Sequence, residues 1–347
     1  MRILIIGGTG IISGATAREA ALQNHEVYVL NRGLHPQREM EGVRPLRADV
    51  GDRQAVLRAL GTLTFDSVID FIAFSAADIV RDHDLFGDKT AQYMFVSSAS
   101  AYQTPLADWR VSEGTPLSNP YWDYARGKIA CEDQLMAYWR AEQFPFTTVR
   151  PAHTYDERFL PLGLCGWKGP WQVLERMRQG KETIIHGDGT SLWTLSHARD
   201  VARAIVGLMG NIHAIGQAVN VVGDETLTWN QLYECIAAAL GVRLKPFYVS
   251  SRFLAVAGDA GMRASLLGER SISAVVSNAR LKQLVPGYAS RIRFDQGVRE
   301  TVRNLVSDPA AHIPDPKYDR WCDELVGTLT AAARQVRAIA PLEDDEA

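Results

Sequence analysis

Short apolar runs alternate with longer helical patterns through the first 151 residues. Segments 2–6, 26–30, 43–49, 66–71, 92–97 and 146–151 read as strands. Their apolar character is nearly continuous, which suits strands buried on both faces of a parallel sheet. Between them, 15–24, 53–61, 75–86 and 124–142 read as crossover helices. Repeated βα units of this length predict an α/β fold, a doubly wound parallel sheet. After Pro151 the pattern changes. Segment 156–193, rich in Gly, Trp and Pro, reads as irregular, and helices return at 198–209, 228–240 and 295–306. This predicts a smaller C-terminal substrate-binding region on the ligand edge of the sheet. The expected division is 1–151, with returning elements from 198–222, then 152–310. A helical extension and acidic tail fill 311–347. Residues 318–339 are amphipathic, and the acidic 341–347 is expected to be disordered.

Composition narrows this picture. With 46% hydrophobic and 22% charged residues in 347, the chain can bury a large core. A net charge of −3 gives no basic excess, so no nucleic-acid partner is expected. No apolar run reaches the roughly 18 residues of a membrane span, so no membrane partner is expected. Cys131, Cys165, Cys235 and Cys322 lie far apart, without a Cys-x-x-Cys pair. Neither a disulfide framework nor a metal site is expected. The chain opens at once on a strand-like run without a secretory cleavage pattern, so the expected location is cytoplasmic.

The first strand runs into a glycine cluster, Gly7-x-x-Gly10-x-x-Ser13, that opens a helix. Strand, glycine turn and helix together form the context of a dinucleotide fingerprint. Gly7 allows the tight turn. Gly10 lets the backbone approach a pyrophosphate, and the helix N-terminus at Ile11 and Ile12 offers N–H groups to it. Ser13 stands where a third glycine is expected and is small enough for helix–strand packing. At the end of the second strand, where NAD enzymes place a carboxylate for the ribose hydroxyls, the residues are Asn31 and Arg32. A guanidinium there can pair with a 2′-phosphate. NADP is therefore the expected cofactor, with NAD possible; the alternative for Arg32 is a solvated surface arginine. Asp49, followed by Val50, lies after the third strand, where it could bond the adenine, and Asp52 reads as a helix N-cap.

A second constellation lies between 97 and 128. Ser97, Ser98 and Ser100 close the fifth strand, and Tyr124-x-x-x-Lys128 follows on a helix. Positions i and i+4 share a helix face. An ammonium near a phenol favours phenolate and lowers the tyrosine pKa. Such a tyrosine can exchange a proton with a carbinol or carbonyl oxygen as hydride moves. A strand-end serine would complete an oxyanion-binding pair. On its own Tyr-x-x-x-Lys is an ordinary surface pair; the serines and the glycine fingerprint reverse that reading.

These stretches, with Arg-Pro-Ala-His-Thr-Tyr-Asp (150–156) and residues 187–205, resemble the extended short-chain dehydrogenase/reductases, the NAD-dependent epimerase/dehydratase family, over roughly 1–305. The resemblance implies Tyr124 as acid/base, Lys128 binding the nicotinamide ribose and lowering that pKa, and Ser98 binding the reacting oxygen. Ser98 is chosen over its neighbours because the family's serine or threonine stands four residues before the tyrosine matching Tyr102. The resemblance also suggests a possible homodimer through helices 75–86 and 121–141. Departures narrow the small-molecule substrate. The family's dehydratases carry Thr-Asp-Glu where this chain has Ser98-Ala99-Ser100, so elimination of water is disfavoured; the epimerases' Ser-Ala-Thr is closer. His153 replaces an Asn that often binds substrate, and Trp193 replaces a diphosphate-binding Arg. Trp193 offers a stacking surface instead, and Arg270 could supply a phosphate contact from another direction. Ser100, His153, Trp193 and Arg270 are therefore the candidate substrate-binding residues, with His153 equally readable as a hydrogen-bonded wall. Two function classes stay open. One is an NADP(H)-dependent epimerase or carbonyl reductase of a sugar-like or carbonyl compound. The other is a non-catalytic dinucleotide-binding regulator.

Overall fold

In the computed structural model, which describes residues 1–34 and 40–339, seven parallel strands form the central sheet. The first five are β1 (Arg2–Ile6), β2 (Glu26–Asn31), β3 (Val43–Arg47), β4 (Ser67–Asp70) and β5 (Tyr93–Val96). Strands Phe146–Arg150 and Gln217–Asn220 extend the β5 side, and β2 and β3 extend the other side of β1. The strand order reverses between β1 and β4. A doubly wound sheet opens its ligand crevice at such a point, beyond the C-terminal strand ends. Ile3 through Ile6, Val68, Ile69 and Tyr93 through Phe95 are fully buried because helices cover both faces.

Helix α1 (Ile11–Leu22) and helix Ala198–Leu208 cover one face; α2 (Arg53–Leu60), α3 (Ala76–Phe86) and α4 (Asp123–Glu142) cover the other. The helical run expected at 15–24 starts four residues earlier, so α1 begins directly on the glycine turn. Asp52 caps α2, accepting from the Ala55 N–H at 2.9 Å, as its position predicts.

Residues after Pro151 build a second core around Tyr155, Trp229, Tyr233 and Phe294. A three-stranded sheet runs through it, and helices Trp229–Leu240, Phe294–Ser307 and Pro316–Ile339 surround it. The stretch expected to be irregular, 156–193, contains a helix at Trp171–Arg178 and a strand at Thr183–His186. Trp171 stacks on His312, and Trp167 packs edge-on against Tyr318, so both tryptophans bind the C-terminal extension to the body. Arg176 reaches Asp319 and Asp323 on the last helix. The expected disordered tail at 341–347 lies outside the described residues. Among the described residues, no helix is long and apolar enough to cross a membrane.

Candidate active site

The glycine turn is closed by Ser13. The Gly10 N–H donates to Ser13 Oγ at 2.9 Å, and that hydroxyl donates to the Gly7 carbonyl at 2.8 Å. Ser13 therefore ties the turn together, beyond merely being small. Gly7 has φ +84°, and a Cβ there would lie 2.5 Å from Ile72 Cγ2. The backbone is bare where a dinucleotide must approach, so this cradle fits one. Beside it runs a cleft of about 340 Å³ lined by Gly7, Thr9, Asn31, Arg32, Asp49 and Val50.

At the outer end of this cleft, Asn31 Oδ1 accepts from the Gly33 N–H at 2.8 Å and from the Arg47 guanidinium. Arg32 lies 3.9 Å from Asp49, both side chains exposed. Asp49 also accepts from the Gly51 N–H at 2.9 Å. Two residues here escaped the sequence reading. Arg47 is brought in by strand register, which sets it opposite Asn31. Arg158 donates to the Gly10 carbonyl at 3.3 Å and to Asp156. The register of β3 was the signal for Arg47; nothing in the sequence marked Arg158.

A second cleft of about 280 Å³ continues from the glycine turn and is lined by Gly10, Ile11, Ile12, Phe74, Tyr124 and Lys128. Here the strand-end serines separate. Ser97 donates to buried Glu132 at 2.5 Å, and Glu132 is paired with Arg150, so Ser97 serves the core. Ser100 donates to Ser98 Oγ at 2.8 Å, and the Ser98 hydroxyl acts on the Tyr124 phenol by lowering its pKa. Ser98 Oγ also accepts from the Ser100 N–H at 3.2 Å, so both its lone pairs are engaged and its own proton is left to donate.

Tyr124 departs from expectation. Burial pushes its phenol above the usual tyrosine range, and the Ser98 hydroxyl pulls the other way. The Lys128 ammonium is not hydrogen-bonded to that phenol. The ammonium donates instead to the Ala73 and Val96 carbonyls at 2.7 and 2.8 Å. It lies 5.8 Å from the Tyr124 ring centroid and 4.4 Å from that of Phe74. Burial brings its own pKa down to about 8. Asp70 holds the Ala73 loop by accepting from the Ala73 N–H at 2.9 Å. Lys128 is thus aimed by a chain of backbone contacts.

A third, smaller cleft of about 30 Å³ adjoins the serines; Ser100, Trp193 and Glu269 are among its walls. Trp193 is buried, its ring flanked by His153 at 5.3 Å and Trp229 at 5.5 Å between centroids. His153 and Arg270 sit behind it. The Arg270 carbonyl accepts from His186, Trp193 and Trp229, and its guanidinium donates to Gly163 O at 2.9 Å. Burial, and secondarily the nearby Arg270 charge, drop the His153 pKa to about 3, so this imidazole is neutral. Asp200 accepts from the Arg291 and Ile292 N–H groups, and His197 caps the helix Ala198–Leu208, so both are structural. Glu269 was not singled out by the sequence, where no motif marks it. Among the described residues, no group of three or more His, Cys, Asp or Glu side chains is placed to hold a metal ion.

A profile of the NAD dependent epimerase/dehydratase family matches residues 3–91 and 77–222. The 2'-dehydrokanamycin reductase of Streptomyces kanamyceticus is 28% identical over 292 residues, covering 84% of this chain and 81% of that protein. The UDP-glucose 4-epimerase of Mycolicibacterium smegmatis is 26% identical over 331 residues, covering 87% and 97%. The dTDP-glucose 4,6-dehydratase structure of Bacillus anthracis, in complex with NAD, superposes with a TM-score of 0.69 at 18% identity, over 89% of this chain and 98% of that one. The chain belongs to the NAD-dependent epimerase/dehydratase family and is an NAD(P)-dependent enzyme of the extended short-chain dehydrogenase/reductase type.

Proposed function

We propose that this enzyme is an NADP(H)-dependent reductase of a carbonyl group on a sugar-like substrate that carries no nucleotide diphosphate. The observation that carries the reading is that Tyr124 and Lys128 line the cleft opening from the glycine turn, next to the cleft that carries Arg32. When bound, the nicotinamide supplies or accepts the hydride. Gly7, Gly10, Ile11 and Ile12 cradle the pyrophosphate, and Asp49 and Val50 border the adenine. Lys128 takes the nicotinamide ribose. Ser98 donates to the reacting oxygen while Tyr124 gives it a proton, and a phenol held neutral by burial has that proton to give. Asn31 in place of a carboxylate removes the repulsion that would oppose a 2′-phosphate, and Arg32 and Arg47 attract it.

Substrate choice rests on what faces the serines. Trp193 occupies the family's diphosphate-binding arginine position, and Arg270 is turned to Gly163, so neither presents a guanidinium to a diphosphate. The relative named for dehydrokanamycin reduction acts, by that name, on a compound other than a nucleotide sugar. The division into a cofactor-binding unit (1–151 with 198–222) and a substrate-binding region (152–310) follows the same reading. The test is NADPH oxidation with a panel of ketosugars and cyclic ketones. Wild type turns over at least one of them, and Tyr124→Phe binds NADPH normally but loses turnover. Retained turnover in that variant would remove Tyr124 from the chemistry. A second reading, an epimerase, is favoured by the Ser98-Ala99-Ser100 strand end. It requires near-stoichiometric nicotinamide released when the purified protein is denatured.

A further inference from the structure

The π-helical turn Leu266–Arg270 brings Glu269 to the wall of the cleft behind Ser100. Turns of this kind recur at functional sites, where the wider winding re-aims side chains. The surrounding walls are mostly apolar, including Ala99, Leu106, Val111, Trp193, Ile272 and Val276. Glu269 stands out among them. Burial, opposed by the charge of Arg270, raises its carboxyl to about 7. Arg270 acts only through space, because its guanidinium is bound to the Gly163 carbonyl. Ser100, which lines the same cleft, donates to Ser98 Oγ at 2.8 Å, so Glu269 faces the serine end of the site.

A carboxylate on the wall of a cleft, beside an indole and close to the serines, is placed to supply a charged partner to a ligand. The space of about 30 Å³ in this cleft has room for one small polar group. A phosphate would be repelled by the carboxylate. Resting on the carbonyl-reductase reading above, we infer that the substrate carries a basic amine. Its ammonium binds the Glu269 carboxylate beside Trp193 while Ser98 and Tyr124 hold the carbonyl oxygen. The contact is charge-assisted, which makes it a strong determinant of specificity. The neighbouring indole adds attraction for a cation.

The test uses the NADPH-loaded enzyme with cyclohexanones bearing an amine at C2, C3 or C4 and the matching hydroxyl compounds. Wild type is expected to favour at least one amine over its hydroxyl partner by about tenfold or more in kcat/KM, the scale of one charge-assisted contact. Glu269→Gln is expected to erase that preference, and Glu269→Asp to keep part of it. No amine preference in wild type overturns the inference, as does a preference that survives Glu269→Gln. Equal losses with both series in Glu269→Gln also overturn it, because they indicate an acid or structural role. NADPH affinity, measured on every variant, reports folding. Wild type that binds NADPH but reduces none of these ketones sinks the amine inference alone. Wild type that binds neither dinucleotide sinks the enzyme reading beneath it.

Discussion

Ser100 donates to Ser98 Oγ at 2.8 Å, and in the proposed mechanism Ser98 and Tyr124 complete a short relay at the reacting oxygen. The relay predicts graded effects. Tyr124→Phe removes the transferable proton and should lower kcat by roughly 10²–10⁴ with NADPH affinity unchanged. Ser98→Ala should cost less, and Ser100→Ala least. Ser100→Ala loses one orienting hydrogen bond of about 1 kcal/mol, or a fall in kcat of about fivefold. Steady-state kinetics on the three variants check the order; a Ser100→Ala loss as large as that of Tyr124→Phe would mean that Ser100 itself touches substrate. At this scale the residue types were legible in the sequence because their chemistry and spacing are. The role of Lys128 was only half legible. Tyr-x-x-x-Lys puts both side chains on one helix face, but the carbonyls that capture the ammonium come from Ala73 and Val96, 55 and 32 positions away.

Between elements, the site depends on how closely α4 approaches the loop after β4. Gly127 permits this: a Cβ there would sit 2.2 Å from the Phe74 carbonyl oxygen. Gly127→Ala must push helix and loop apart, moving Tyr124 and Lys128 away from Ser98. The expected cost is about 1–3 kcal/mol of stability, typical of overpacking. A fall in kcat/KM exceeding that of a comparably destabilised variant distant from the site should accompany it. Thermal unfolding and kinetics on the same sample check this, and unchanged activity would show that the approach is not needed. The strands and most helices were readable because their apolar runs are nearly continuous and their helical faces are clear. The helix Trp171–Arg178 was not. It is short, begins after Pro170, and sits among glycines that read as loop punctuation. Its stability comes from packing against the last helix rather than from local propensity.

Across the whole molecule, the second core holds buried histidines as well as aromatic rings. Burial lowers His153 to about 3 and His186 to about 4. Both are neutral in the fold, whereas the unfolded chain takes up protons below about 6.5. The unfolded state then binds more protons, so stability falls as pH drops from about 6.5 toward 4. At pH 5 each such histidine costs about 1–2 kcal/mol relative to pH 7. His153→Phe keeps a ring between Trp193 and Trp229 and should lose less stability between pH 7 and 5 than wild type, as measured by urea unfolding. An unchanged pH dependence would mean that His153 is already solvated. The sequence announced the first core through its βα alternation. The second is assembled from distant, irregular segments, so its aromatic ring around Trp229 and the placement of Glu269 emerge only once the chain is folded.

The central claim, a site built to carry NADP(H), is tested most directly by titrating cofactor-free wild-type and Arg32→Ala protein with NADPH and NADH while following intrinsic fluorescence. The account predicts that wild type binds NADPH about tenfold or more tightly than NADH, the scale of a charge-assisted phosphate contact. It also predicts that Arg32→Ala removes most of that margin and leaves NADH affinity nearly unchanged. Equal or tighter binding of NADH by wild type, or the same loss for both cofactors in the variant, would contradict it.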